Sequence, residues 1–219
     1  DSEMTKITQS LIRLVDDDES VLKAQSLFLE MAGFKVKSYN SALSFLEKDD
    51  FSVTGCIVLD VRMPHMSGIE LQNELIRRRC DLPIIFLSAH GDIEMAVEAV
   101  HKGAKTFLVK PPRLDKLLEY IKEAVEEHRE RQKGRRFAEF LMNQWNSLTE
   151  AERQVADMVA KGLTNNMISL VLEITERTVR SHRSSIYEKL EVENAAELSG
   201  FLNDLNRYRK AYLPNNPNQ

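Results

Sequence analysis

The chain has 219 residues, 42% hydrophobic and 29% charged, which excludes a disordered chain and marks ordinary globular protein. A domain takes roughly 100–200 residues, so one large domain or two modest ones fit this length. The formal net charge of −4 excludes a uniformly basic nucleic-acid binder, so any DNA binding must come from local charge and motif. Apolar runs at 11–15, 35–39 (a weak one), 56–59, 84–87 and 106–109 predict five strands. Helical patterns near 20–32, 41–48, 67–79 and 92–102 separate them, and a further helix starts near Leu114 with Leu117, Leu118, Ile121 and Val125 at helical spacing. Gly33, Gly55, Gly68, Gly91 and Gly103 supply turn or stop signals beside these elements. Short strands alternating with longer helices predict an α/β fold with a parallel sheet.

From Glu126 to Arg136 the composition turns to mixed charge, which predicts a solvated helical connector, with a flexible linker as the plainer reading. Phe137, Phe140, Leu141 and Trp145 follow as docking residues. Beyond Ser147 strand patterns stop and helical periodicity runs to about residue 208. Thr149 caps one helix, which closes at Lys161-Gly162-Leu163; Thr164 opens the next, and Thr175 caps a third that runs to about Lys189. Residues 209–219 read as a tail, frayed from Pro214. No apolar run approaches the about 20 residues that cross a bilayer, and the polar start shows no signal-peptide core. No membrane partner is expected. Two cysteines, Cys56 and Cys80, do not make a disulfide framework, so a cytoplasmic setting fits.

The chemistry sits at the strand ends. Asp16 and Asp17 follow the first run, Asp60 the third, Ser88 the fourth and Lys110 the fifth. In a parallel α/β sheet the strand C-termini open onto one edge, where ligands bind. Mg²⁺ takes oxygen ligands from one or two carboxylates plus phosphate, and Asp16, Asp17 and Asp60 could supply them. An aspartate can also act as a nucleophile and become an aspartyl-phosphate. Lys110 would neutralise one phosphoryl oxygen and Ser88 would donate to another. Any one of these residues alone has a plainer reading, since an Asp after a strand is often only a helix N-cap.

On the third C-terminal helix, at 100° per residue, Val179, Ile186 and Leu190 fall on one side. Arg177, Ser181 and Ser184 fall opposite, with Arg180 flanking them. Two short helices with a tight turn describe a helix-turn-helix, and this basic, small-polar face suits a major groove. An ordinary amphipathic surface helix has the same pattern.

The segments Leu14-Val15-Asp16-Asp17-Asp18, Leu59-Asp60-Val61-Arg62-Met63-Pro64-His65-Met66-Ser67-Gly68, Leu87-Ser88-Ala89 and Val109-Lys110-Pro111 resemble the motifs of response-regulator receiver domains. That resemblance implies Asp60 as phosphoacceptor, Asp17 as a direct Mg²⁺ ligand, Asp16 as an indirect one and the Arg62 main-chain carbonyl as a further ligand (Mn²⁺ is an alternative). It implies Ser88 and Phe107 as the two switch positions, and Lys110 on the phosphoryl group before a cis Pro111. Pro112 departs from the aromatic or aliphatic residue common there. The segments Gly162-Leu163-Thr164-Asn165, Thr178-Val179-Arg180-Ser181-His182 and Lys189-Leu190 resemble the LuxR/GerE-type helix-turn-helix. Carried over by position, Arg180, Ser181 and Ser184 would face bases, and Thr175, Thr178 and Lys189 would lie near phosphates. His182 reads as a packing residue. Glu191 stands where glycine usually ends this helix, which predicts a cap that is strained or differently arranged.

Both parts together resemble FixJ/NarL-type transcription regulators. The expected architecture is a doubly wound, five-stranded parallel receiver of the flavodoxin/CheY-like kind (9–125), a helical linker (126–146), an all-α helix-turn-helix domain (147–208) and a tail (209–219). The segments Ala89-His90-Gly91-Asp92 and Met95–Val100 are FixJ-like. The resemblance implies a sensor histidine kinase, promoter DNA and RNA polymerase as partners. It also implies a homodimer formed on phosphorylation, with Val97 and His101 at the dimer face, and activation of a catabolic operon. Two other readings stay open on the residues alone. An output module that binds RNA or protein would also suit a near-neutral helical half. A dehalogenase-type phosphatase would need a second Asp two positions after Asp60, where this chain has Arg62.

Overall fold

The computed structural model describes residues 10–89 and 93–213. Expectations for Gly91, for the helix start at 92, for His90 to Asp92 and for the tail from 214 lie outside the described residues. Five parallel strands, β1 (Leu11–Val15), β2 (Lys35–Tyr39), β3 (Gly55–Asp60), β4 (Ile84–Ser88) and β5 (Thr106–Val109), form one sheet in the order β2-β1-β3-β4-β5. Around them lie α1 (Glu19–Met31), α2 (Ala42–Lys48), α3 (Gly68–Arg77), α4 (Ile93–His101) and α5 (Leu114–Asn146). This is the doubly wound order, with its switch point between β1 and β3.

Every residue of β3 and β4 is buried, because helices cover both faces. Alternation splits their side chains between two cores. Ile57, Leu59, Ile84 and Phe86 join Phe45 and Leu71 of α2 and α3 on one face. Cys56, Val58, Ile85 and Leu87 join Leu22 and Ile121 of α1 and α5 on the other. The weak run at 35–39 is an edge strand, with only Tyr39 fully buried, which explains its faint pattern. Arg13 on β1 is buried and unreadable as core from sequence; its Nε lies 3.2 Å from Asp49, which also accepts the Tyr39 hydroxyl at 2.6 Å.

The linker is helical. α5 runs unbroken from Leu114 to Asn146, across the boundary at Glu130/Arg131 between the two compact units of the chain. The second unit adds α6 (Glu150–Ala160), α7 (Asn165–Leu172), α8 (Glu176–Leu190) and α9 (Ala195–Tyr212). Leu141, Val155, Ile168, Val179, Ile186 and Leu198 share its core. α9 continues past the expected end at 208. Its Tyr212 ring lies so close to Gly134 that a β-carbon there would come within 2.2 Å of it, so the last turn of α9 packs on α5.

Thr149, Thr164 and Thr175 cap α6, α7 and α8 as their sequence positions predict. At the far end of α8, Glu191 has φ 55 and ψ 41, while Val192 donates to the Tyr187 carbonyl at 3.0 Å. A left-handed residue with a β-carbon costs roughly 1–2 kcal/mol, a cost glycine escapes. Glu191→Gly is therefore expected to stabilise the second unit by about 1 kcal/mol. Calorimetry of the full chain checks this; a lower midpoint for that unit would show the Glu191 side chain contributes more than its strain costs.

Candidate functional site

The sheet edge at the switch point collects the strand-end residues. Asp18, not Asp16 or Asp17, caps α1, accepting from Ser20 N at 2.9 Å. That leaves the two preceding carboxylates for other work. Asp16 is buried; its Oδ1 accepts Asp18 N–H at 2.9 Å and its Oδ2 accepts Lys110 Nζ at 2.6 Å. Asp60 ends β3, accepts Val61 N–H at 2.9 Å, and lies 3.3 Å from Lys110 Nζ. Asp17 is exposed at the rim, and oxygens of Asp16, Asp17 and Asp60 all lie within 4.8 Å of one another.

Two local features hold these groups. Lys110 N–H donates to the Ser88 carbonyl at 2.7 Å, which registers the end of β5 against β4, and the Lys110–Pro111 peptide is cis. Gly68 N–H donates to the Val61 carbonyl at 2.8 Å, folding the loop after β3 back on itself. A β-carbon on Gly68 would fall 2.2 Å from the Asp60 carbonyl oxygen, so only glycine fits this approach. Ser88 is buried at the end of β4. Phe107 is half-buried on β5, its ring 5.8 Å from that of Phe86. The Arg62 side chain is exposed, two residues beyond Asp60.

The electrostatics follow from this crowding. Burial pushes the Asp60 carboxyl above its ordinary range, the Asp16 charge pushes it further, and Lys110 only partly offsets them. Burial would lower the Lys110 ammonium, but its contacts with Asp16 and then Asp60 outweigh burial and raise it. Lys110 is thus a fixed cation between two carboxylates. The donor set is hard oxygen with surplus negative charge, which fits a divalent cation such as Mg²⁺.

In the second unit, α7 and α8 with their intervening turn form the helix-turn-helix. Glu173 closes α7 in the left-handed region. Val179, Ile186 and Leu190 are buried, while Arg177, Arg180, Ser181 and Ser184 are exposed, as the helical pattern predicts. The Arg180 side chain is 61% exposed, with only a loose 3.6 Å approach to Glu176. Thr175 is the cap of α8, its hydroxyl accepting Thr178 N–H at 3.2 Å, and the two threonine hydroxyls lie 2.9 Å apart. His182 is half-buried. Lys189 is engaged within the unit, its Nζ 2.8 Å from Glu152. Val97 and His101 are exposed on α4, beside the exposed Ile93 and Val100.

Sequence reading missed three polar constellations. Glu152 joins α6 to α8 through Ser185 and Lys189. Arg183 donates to Asn165 Oδ1 and to the Tyr187 hydroxyl, both at 2.8 Å. His128 is fully buried, with Nδ1 accepting Gly55 N–H at 3.2 Å and Nε2 facing Asp81 at 3.2 Å, which fixes the proton on Nε2. A capping-box pattern at Thr149-x-x-Glu152 was the one available signal, and it points only to a helix start.

A phosphate-accepting receiver pocket in one unit and a helix-turn-helix in the other define the class: a two-component response regulator with a DNA-binding output. The family model for the response regulator receiver domain matches residues 12–122, and that for bacterial regulatory proteins of the luxR family matches residues 146–201. The chain belongs to the response-regulator family with a LuxR-type output. It is 39% identical over 190 residues to response regulator protein TmoT of Ectopseudomonas mendocina, covering 87% of this chain and 86% of that one. Identity to TodT of Pseudomonas putida is 40% over 190 residues, with 86% and 83% covered. The solved structure of response regulator StyR superposes with a TM-score of 0.85 at 40% identity, covering 89% of this chain and 98% of the other. Among the described residues no helix is long and apolar enough to cross a membrane.

Proposed function

We propose that this regulator is switched by transfer of a phosphoryl group from a sensor histidine kinase to Asp60. The supporting observation is the juxtaposition of Asp60 with Asp16, Asp17 and Lys110 at the sheet edge. An Asp60 carboxylate oxygen attacks phosphorus, the phosphorus–nitrogen bond of the phosphohistidine breaks, and the leaving imidazole takes up a proton. Lys110 balances charge on the transferred group, and Ser88 donates its hydroxyl to a phosphoryl oxygen. Mg²⁺, or Mn²⁺ in its place, would be held by Asp16, Asp17, Asp60 and the Arg62 carbonyl, and when bound neutralises phosphoryl charge. Phe107 follows Ser88 inward and alters the α4 face. Two copies then pair through Val97 and His101. This is a shift between populations that exist beforehand.

The paired outputs bind promoter half-sites in the cytoplasm and recruit RNA polymerase to a catabolic operon. Arg180, Ser181 and Ser184 face bases; Thr175 and Thr178 lie near phosphates. Lys189, at the far end of the same helix, is held in an ion pair with Glu152. Operator binding measured with and without acetyl phosphate and Mg²⁺ tests the scheme. Phosphodonor is expected to tighten binding and to give dimers in sedimentation; monomers only, with unchanged affinity, would sink it. Within that assay Arg180→Ala is expected to cost about 1–3 kcal/mol and to relax preference at one base position. Equal loss on operator and scrambled DNA would show that Arg180 does not read bases.

A further inference from the structure

The polar edges of α8 show how its reading face is aimed. Arg177, Ser181 and Ser184 are exposed, and Val179, Ile186 and Leu190 are buried. At 100° per residue, Ser185 and Lys189 lie on one flank between those faces, and Arg183 lies on the other. A helix held only by its apolar stripe can roll, because apolar contact has no direction. Here each flank is pinned to a different helix. Arg183 reaches Asn165 at the start of α7. On the other flank one carboxylate of α6 gathers three donors from separate places. Glu152 Oε1 accepts Ser185 Oγ at 2.7 Å and Lys189 Nζ at 3.1 Å; Oε2 accepts Lys189 Nζ at 2.8 Å and Thr149 N–H at 2.8 Å.

This carboxylate is nearly enclosed, its side chain 7% exposed, against 35% for that of Lys189. Burial would raise its pKa, yet the Lys189, Ser185 and Thr149 donors outweigh burial and bring it to about 2. It is therefore an anion at any working pH.

We propose that Glu152 is a positioning residue for DNA reading: it clasps Ser185 and Lys189 and so sets the roll of α8, and Lys189 is its counterion instead of a phosphate contact. The inference rests on α8 being the helix that reads DNA. Roll matters because bidentate base contacts tolerate little angular error. A helix turned by a few tens of degrees presents the same charge to the backbone and the wrong edge to the bases.

The test uses the full chain and a duplex selected by wild-type protein from a random pool, with a scrambled duplex as control, at several salt concentrations. Glu152→Gln and Lys189→Met are each expected to lower the operator-to-scrambled affinity ratio about tenfold, the size of one lost base contact. The salt slope stays at its wild-type value, the Glu152→Gln/Lys189→Met double variant loses no more than either single one, and Lys189→Arg retains discrimination. Ser185→Ala, which removes one donor and leaves the ion pair, loses less than Glu152→Gln; it carries the test where circular dichroism shows the stronger variants unfolded. If Lys189→Met lowers the salt slope by about one while Glu152→Gln discriminates like wild type, Lys189 is a phosphate contact and the clasp is overturned. Failure of the wild-type protein to select any sequence overturns the DNA reading itself, and the clasp with it.

Discussion

Asp60→Asn is expected to abolish phosphoryl uptake from acetyl phosphate while leaving the receiver folded. The amide keeps the shape of the carboxylate and can still accept the Val61 N–H, which the Asp60 side chain accepts at 2.9 Å. It lacks the anionic oxygen that attacks phosphorus. Removing one of the crowded carboxylates also relieves the repulsion that, after burial, raises the Asp60 carboxyl. The variant is therefore expected to melt no lower than wild type. Acid-stable, base-labile radiolabel measures uptake. Full labelling of the variant would place the phosphoacceptor elsewhere. Asp17→Ala adds a check on the cation: weaker Mg²⁺ binding than in Asp16→Ala, by titration calorimetry, fits direct ligation by Asp17.

Asp49→Ala is expected to destabilise the receiver by about 3–5 kcal/mol, the range for stripping a buried charge of its partner. Asp49 is the only acid paired with Arg13 among the described residues. Arg13 is fully buried, and its Nη2 already has no acceptor among the described residues. The Tyr39 hydroxyl would lose its partner as well. Calorimetry of the full chain reads this as a fall in the receiver midpoint, and Arg13→Met with Asp49→Leu recovers most of it. A loss under 1 kcal/mol would mean that water reaches Arg13. The pair also gives acid sensitivity with a definite sign. Burial would raise the Asp49 carboxyl, but hydrogen bonds from Tyr39 and Arg13 hold it below its ordinary range. A depressed native pKa contributes stability that is complete above the unfolded value, about 3.9, and is lost as pH falls through the native one.

These two variants divide what the amino-acid sequence makes legible from what it hides. Asp60, Asp16, Ser88 and Lys110 stand out because each follows an apolar run, and parallel topology turns that local rule into one shared edge. The same holds for Thr149, Thr164 and Thr175, whose cap chemistry is local. Arg13 and Asp49 are separated by 36 residues and Glu152 and Lys189 by 37, and neither spacing belongs to a helix or strand period. Their partners are chosen by tertiary packing, so nothing local announces them. Arg13 even interrupts an apolar strand, where pattern alone argues for solvent. The unusual cap at Glu191 is legible because a cap has a residue preference; the packing of Tyr212 against Gly134 is not, since those residues are 78 apart in the chain.

The turn after β3 separates invention from chemistry. Its shape is held by backbone: the Gly68 N–H on the Val61 carbonyl, and the bare α-carbon of Gly68 against the Asp60 carbonyl. The side chains of Arg62, Pro64 and His65 in the same turn are exposed. Substitution of the Arg62 or Pro64 side chain leaves that backbone contact in place, whereas His65 is itself held in the left-handed region at φ 70. Gly68 has no such latitude, since even a methyl group would strike the main-chain carbonyl of Asp60. One turn thus joins exposed side chains to a backbone that a single missing β-carbon holds in place.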